Sequence, residues 1–418
     1  MEELKLKNKT CLVMDWGMGS PHAERLSRDF GTVYYWTPWK SSFPKSNDSI
    51  VGQGMDGITR IKDYLTVIDS VDILVCLDTN FGDVVDYWRA KGKRVFGAGS
   101  KAELFELDRW KSKKITEAVK LPVPRTEYII GLDNLRKRLN VVRNKYVKLS
   151  LFRGAIESFP HDDYKSSEPF LARLEVALGA MKNKAEFIIE DKIEGTEIGI
   201  DTFVVDGEYP NKCLIGWEKK DAAFIGKIFD YDKVIKPLRE VNEKLKPFFK
   251  KTGARSMFST EVRITKEGRG YLIDPCVRMP LPPSYVEMEI YDNYSEFIWY
   301  AAEGKIIPLK PNAVYGCEVI MGSDFSEENL LEVKIPKEIK KWVKISCGCC
   351  IDGRYYILPG EVKNHFLSVV GLGNTLNEAI GKAEEVYKKV EAFQLSKSFD
   401  FNSLREVSKE ADRFGIKF

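Results

Sequence analysis

The first hundred residues alternate between short apolar runs and amphipathic stretches, and this alternation constrains the fold more than any other feature. TCLVMDW reads as a strand, GMGS as a turn and PHAERLSRDFG as a helix closed by glycine. TVYYW resumes a strand. DYLTVIDSVDILVCLD supplies a helix-like stretch and a buried strand, NFGDVVDYWRAKG a helix, and KRVFGAG a further strand. Strand–glycine turn–helix units of this length predict a parallel sheet with ligands at the carboxyl ends of its strands. GMGS by itself is a weak glycine-rich signal, more often a tight turn than a phosphate cradle.

Beyond this region the pattern changes. ELFELDRWKSKKITEAVKLPVP predicts one helix ended by its prolines. From 125 to about 205, strands (KYVKLSLF, EFIIEDKIEG, IGIDTFVVDG) surround a helix near 168–181. Residues 232–253 predict an amphipathic helix interrupted by Pro237, and a further helix falls near 293–304. The fold class expected is mixed α/β and α+β, in three packed parts. These are an N-terminal α/β domain (1–105), a central region (106–311, with a lid at about 124–200) and a small C-terminal α+β domain (312–418).

With 418 residues the chain has length for two or three domains with real cores. Its 65 Lys and Arg balance 62 Asp and Glu to a net charge of +3, which gives no footprint for a nucleic acid or a membrane surface. No stretch approaches the roughly 20 apolar residues of a membrane span. The opening apolar run is too short for a signal peptide, so the eight cysteines are expected as reduced thiols in a cytoplasm. SCGCC at 346–350 invites a metal reading, but no second Cys/His pair at ligand spacing follows it. A buried or edge strand is the simpler expectation there.

Chemistry concentrates in four pieces. Lys111 lies in the helix before LPVP, Lys148 lies in the strand YVKLS, and EDKIEGTE at 190–197 is an acidic strand end running into a turn. FSTEVRI (258–264) and YLIDPCVRMP (271–280) flank a polar turn, TKEGRG, and read as a hairpin that brings Glu261 and Asp274 to one face, with Arg278 beyond. Lysines offer point charges to phosphate oxygens, arginine adds a planar fork, and paired carboxylates suit magnesium bridging to phosphates. A strand-end backbone can read an adenine, and an acidic side chain four residues on can take ribose hydroxyls.

Order and spacing of these pieces resemble the ATP-grasp superfamily and, within it, the phosphoribosylamine–glycine ligases. The first family lysine falls one helix before a proline turn, matched by Lys111, thirteen residues before Pro124. The second matches Lys148 in Val147-Lys148. The adenine hinge matches Glu190, Asp191, Lys192 and Ile193, and the ribose-binding acid matches Glu197. The motif Glu…Glu-x-Asn-x-Arg matches Glu261, Asp274, Cys276 and Arg278. FLSVVGLGNTLNEAIGKAEEVYKKV is similar to the ligases' C-terminal strand–helix.

The resemblance implies an ATP-grasp fold, ATP and one or two Mg2+ ions (Mn2+ as a substitute), and small carboxylate and amine substrates. It implies Lys111 and Lys148 on phosphates, Glu261 and Asp274 on magnesium, and Arg278 on the charge that shifts during transfer. LFRGAIES, with Arg153 and Gly154, matches the phosphate loop, and Lys219 in GWEKKDAAF is a third phosphate candidate or one of a solvated pair. The sequence departs from the ligases in three places. MPLPP follows Arg278 where they have F-G-D-P-E; DWGMGSPHAE keeps His22 but lacks their Arg-Glu; and the phosphate loop holds a single glycine. These departures fall on acceptor recognition and loop mobility, not on the nucleotide hinge. Cys276 replaces an asparagine oxygen with a soft thiol, which leaves three alternatives. The metal is held by the carboxylates and water, the site binds nucleotide with little turnover, or the thiol is a nucleophile or switch. Tyr34, Tyr35, Trp36 and Trp39 fit either rim packing or stacking on an acceptor.

Overall fold

The computed structural model describes residues 5–38, 50–151, 158–219, 222–359 and 367–412. Five strands, Thr10–Met14 (β1), Thr32–Trp36 (β2), Thr59–Arg60 (β3), Ile73–Cys76 (β4) and Arg94–Phe96 (β5), form the expected all-parallel sheet in the order β3-β2-β1-β4-β5. Helices Ser20–Ser27 (α1) and Gly82–Ala90 (α2) follow β1 and β4. The helix-like stretch before β4 contracts to a short 3-10 turn at Tyr64–Thr66.

The single helix expected before LPVP is two, Ser100–Leu107 (α3) and Arg109–Ala118 (α4). Asp108 adopts extended backbone between them and accepts the Lys111 amide, so it caps α4 while ending α3.

A four-stranded antiparallel sheet comes next: Thr126–Ile130 (β6), Lys145–Leu149 (β7), Ser158–His161 (β8) and Glu186–Asp191 (β9), in the order β6-β9-β7-β8. Leucines 132, 135 and 139 of Leu132–Leu139 (α5) and 171, 174 and 178 of Tyr164–Leu178 (α6) recur at helical spacing, and together they bury the face carrying Val147, Phe187 and Ile189.

The large sheet holds Thr196–Val205 (β10), Lys212–Lys219 (β11), Ala223–Asp230 (β12), Arg255–Ile264 (β13) and Gly270–Cys276 (β14). It continues through Tyr315–Gly322 (β15), Leu367–Gly373 and, outermost, Val343–Ile345, in the order β14-β13-β10-β11-β12-β15 and then those two. β12 pairs β15, so the sheet runs unbroken across residue 311, where the sequence placed a boundary. Lys236–Thr252 (α7) covers one face with Leu238, Val241, Leu245 and Phe249; Pro237 sits in its first turn rather than interrupting it.

Pro283–Ile290 (α8) and Tyr294–Ala302 (α9) fill the space between the large sheet and the parallel sheet, with Phe203 against Phe297 at 4.5 Å. Gly316 admits α8: a Cβ there would lie 2.1 Å from Val286. SCGCC lies at and just before the strand Gly348–Ile351, as the simpler expectation had it. Among the described residues no three His, Cys, Asp or Glu side chains gather as a metal site, and no helix is long and apolar enough to cross a membrane.

Candidate active site

The β13–β14 hairpin forms as expected, with Glu261 directly opposite Asp274 and Ser259 opposite Cys276; the register shifts between Glu261 and Val262. Alternation along β13 puts Met257, Ser259 and Glu261 on one face, toward the N-terminal sheet and α9. Asp274 is the centre of a charged network. Its Oδ1 lies 2.5 Å from Arg109 Nη1 and 3.3 Å from Lys148 Nζ. Lys148 also donates to the Ile273 carbonyl at 2.8 Å and pairs with Glu190 Oε1 at 3.0 Å. Lys113 reaches Glu190 Oε2 at 2.8 Å, the two side chains being only 6% and 4% exposed.

The protonation states follow from this pairing. Burial works against the charge on Asp274, but Arg109, Lys148 and Lys113 outweigh it and hold the carboxyl well below its ordinary range. Burial likewise opposes ionised Glu190, and Lys148 with Lys113 more than reverse that. Lys148 is opposed by burial and raised by Asp274 and Glu190, whereas Lys113, with burial dominant, is lowered. Asp274 and Glu190 are thus held ionised around Lys148, whereas burial works against the charge on Lys113.

Sequence reasoning and structure differ on the first lysine. The Lys111 side chain turns to Asp108 at 2.9 Å and is 59% exposed, while Lys113 enters the network. Arg109, too, was missed. A signal for both exists in α4, whose buried positions 109, 112, 113 and 116 form an i, i+3, i+4, i+7 stripe of polar residues. A helix that buries its polar stripe faces charge, not an apolar core.

The remaining candidates disperse around this centre. Asp191 pairs with Lys145, Lys192 with Asp162, and Glu197 with Arg263 across the β10–β13 register. Ile193 offers its carbonyl to Arg263 at 3.2 Å. Lys219 ends β11, exposed. Arg153, Gly154, Lys220 and Trp39 lie outside the described residues. Cys276 Sγ faces the Arg278 carbonyl at 3.8 Å.

Arg278 is drawn away from the lysines. Its Nε donates to Glu106 Oε1 at 2.8 Å and lies 3.6 Å from Asp78 Oδ1, and Glu106 also accepts the Val277 amide at 2.9 Å. Asp78 follows β4, so the hairpin and the carboxyl ends of the parallel sheet meet at this arginine. For a divalent cation the donor set is hard but short. Glu261 and Asp274 supply carboxylate oxygens, and Cys276 stands where a third oxygen is needed.

No family model and no curated protein matches the sequence. Solved structures do match in fold. The phosphoribosylamine–glycine ligase of Thermotoga maritima superposes with a TM-score of 0.72 at 15% identity, over 93% of this chain and 98% of that one. Biotin carboxylase of Campylobacter jejuni gives 0.66 at 15% identity, over 94% of each chain. The L-amino acid ligase of Bacillus licheniformis gives 0.61 at 14% identity, over 93% and 99%. The chain has the fold these proteins share, the ATP-grasp fold.

Proposed function

We propose that the protein is an ATP-dependent carboxylate–amine ligase that works through an acyl phosphate and releases ADP and phosphate. The observation that carries this reading is the buried network of Lys113, Lys148 and Arg109 around Glu190 and Asp274, where the lid sheet meets the carboxylate hairpin. Three clustered cations suit a polyphosphate. Two carboxylates opposite one another, Glu261 and Asp274, would hold Mg2+, which would supply positive charge against the phosphates.

In this reading Lys148 and Lys113 exchange part of their pairing with Glu190 for phosphate oxygens, and Glu190 keeps both ammonium groups oriented. Arg109, which pairs with Asp274 at 2.5 Å, would release that carboxylate for the cation. The backbone after β9 at Lys192 and Ile193 seats the adenine, and Glu197 takes the ribose. A substrate carboxylate attacks the γ-phosphorus, and ADP leaves. The amine then attacks the acyl carbon, and the C–O bond to phosphate breaks. Catalysis of this kind rests on positioning and fixed charge. Arg278, held by Glu106, would face the acyl phosphate from the N-terminal side.

A second reading is phosphoribosylamine–glycine ligase itself, favoured by the fold likeness along 93% of the chain. The test is ADP and phosphate release from MgATP in a small-molecule extract, alongside phosphoribosylamine plus glycine, with Glu261→Gln as control. Release in the extract that disappears in the control supports the ligase. Release with phosphoribosylamine and glycine alone selects the second reading. Silence in every mixture, with nucleotide still bound, would mean a binding protein without turnover.

A further inference from the structure

The face of β13 that carries Glu261 reaches Arg263 two residues on, about 7 Å further along the strand. On β10, Gly199 stands opposite Glu261 and Glu197 stands opposite Arg263. Gly199 brings no side chain, and a Cβ there would make only ordinary contacts, 3.5 Å from the Thr260 carbonyl and 3.8 Å from Asp201 Oδ2. The sheet surface beside Glu261 is therefore bare on the β10 side.

Arg263 uses both arms of its fork. Nη2 pairs with Glu197 Oε2, and Nη1 donates to the Ile193 carbonyl at 3.2 Å. Its Nε is buried with no hydrogen-bond partner among the described residues, so the guanidinium is anchored through its two ends. The turn that carries Ile193 rests on the same strand, because a Cβ on Gly195 would lie 2.2 Å from the Ile264 carbonyl. One side chain of the large sheet thus ties together the backbone and the acid on which a nucleoside would be read.

The pair with Arg263 engages only one carboxylate oxygen. Oε1 of Glu197 makes no hydrogen bond among the described residues, and the side chain is 39% exposed. A carboxylate pinned through one oxygen offers the other in a set direction, so less ordering is needed when a hydroxyl donates to it.

Resting on the ligase reading and its ATP site, we propose that Arg263 is a positioning residue for the nucleoside: it fixes Glu197 through one oxygen so that the other meets the ribose hydroxyls, and thereby makes the site select ribonucleotides. Arg263 and Glu197 are both partly exposed, at 24% and 39%, so replacing the arginine leaves Glu197 in contact with water rather than stranded in the interior.

Calorimetric titration of the full chain, in Mg2+, with ADP, 2′,3′-dideoxy-ADP and pyrophosphate tests this. The parent is expected to bind ADP at least about tenfold tighter than dideoxy-ADP, as for a hydrogen bond to a charged group. Arg263→Met should cut that preference to within about threefold, because Glu197 is no longer oriented. Arg263→Lys returns a charge to Glu197 without the fork to Ile193, and should recover part of the preference. Pyrophosphate has no nucleoside and should bind all three proteins alike. A merely structural role would weaken both nucleotides together and leave their ratio unchanged. An undiminished preference in Arg263→Met, or no preference in a parent that binds ADP and pyrophosphate, would overturn the proposal. Should Arg263→Met bind no ligand, a preference in Arg263→Lys equal to the parent's would overturn it, and a reduced one would support it. A parent that bound neither ADP nor pyrophosphate would overturn the ligase reading itself, and this proposal with it.

Discussion

Lys111 and Lys113 differ by two positions on one helix, and exchanging each for methionine separates two accounts of the site. Lys113 forms a 2.8 Å pair with Glu190 in which both side chains are almost fully buried. Removing one partner of a buried pair costs about 3–5 kcal/mol, because the remaining charge stays out of water. Glu190 keeps Lys148 at 3.0 Å, so Lys113→Met is expected near the lower bound, about 3 kcal/mol. Lys111→Met breaks only an exposed pair with Asp108 and should cost at most about 1 kcal/mol. Hydrogen exchange read by mass spectrometry on α4 and β9 reports the local loss where it occurs. If Lys113 also holds a phosphate, losing a charge-assisted bond of about 1.5–3 kcal/mol weakens MgADP by roughly ten- to 150-fold. Lys111→Met should leave MgADP affinity within about twofold, the scatter expected of an exposed pair. Equal exchange and affinity changes in the two variants, or a larger change for Lys111→Met, would refute the reasoning from burial.

Cys276→Asn returns an oxygen donor beside Asp274, and Mg2+ affinity measured in the presence of ADP should rise by about tenfold; no change would mean that the position does not reach the cation. Burial pushes the Asp15 carboxyl up to about 6, against the opposing hydrogen bonds from Tyr35, Gly19 and Gly17. Its folded-state pKa lies above the unfolded value, so the associated stability is full below about pH 4 and lost as pH rises through 6. Urea titrations at pH 4 and pH 7 should therefore favour Asp15→Asn over the parent at the higher pH by up to roughly 3 kcal/mol, relative to their difference at pH 4. Gly316→Ala would force its methyl against Val286 and displace α8, lowering stability by about 1–3 kcal/mol in thermal unfolding.

Four strands of the parallel sheet were legible because each is a short apolar run bounded by a turn and followed by a helix or loop of fitting length; β3, the two polar residues Thr59 and Arg60, carries no such pattern. The hairpin was legible because TKEGRG separates two alternating runs whose acidic positions coincide in register. What escaped was side-chain direction. Lys111 and Lys113 have the same residue type and neighbouring positions, and only the cap at Asp108, which resets the start of α4, decides which one is buried. Arg278 was legible as a cation near the hairpin, but its partners Glu106 and Asp78 come from elements far off in sequence, and no local pattern announces them. The pairing of β15 with β12, across the boundary placed at 311, was not legible, because antiparallel pairing across such a distance leaves no mark in either strand.

The backbone around SCGCC has a consequence for the order in which the molecule can be completed. The Cys347 amide holds the Gly17 carbonyl at 2.9 Å, while the Gly348 carbonyl and the Cys350 amide clasp Gly52 and Gln53 at 2.8 Å each. Gly54 packs so closely that a Cβ there would stand 2.2 Å from the Cys350 carbonyl. The loop after β1 and the segment before β3, both near the start of the chain, are therefore splinted by residues some three hundred positions later. Those hydrogen bonds can close only after residues 347–350 have been made.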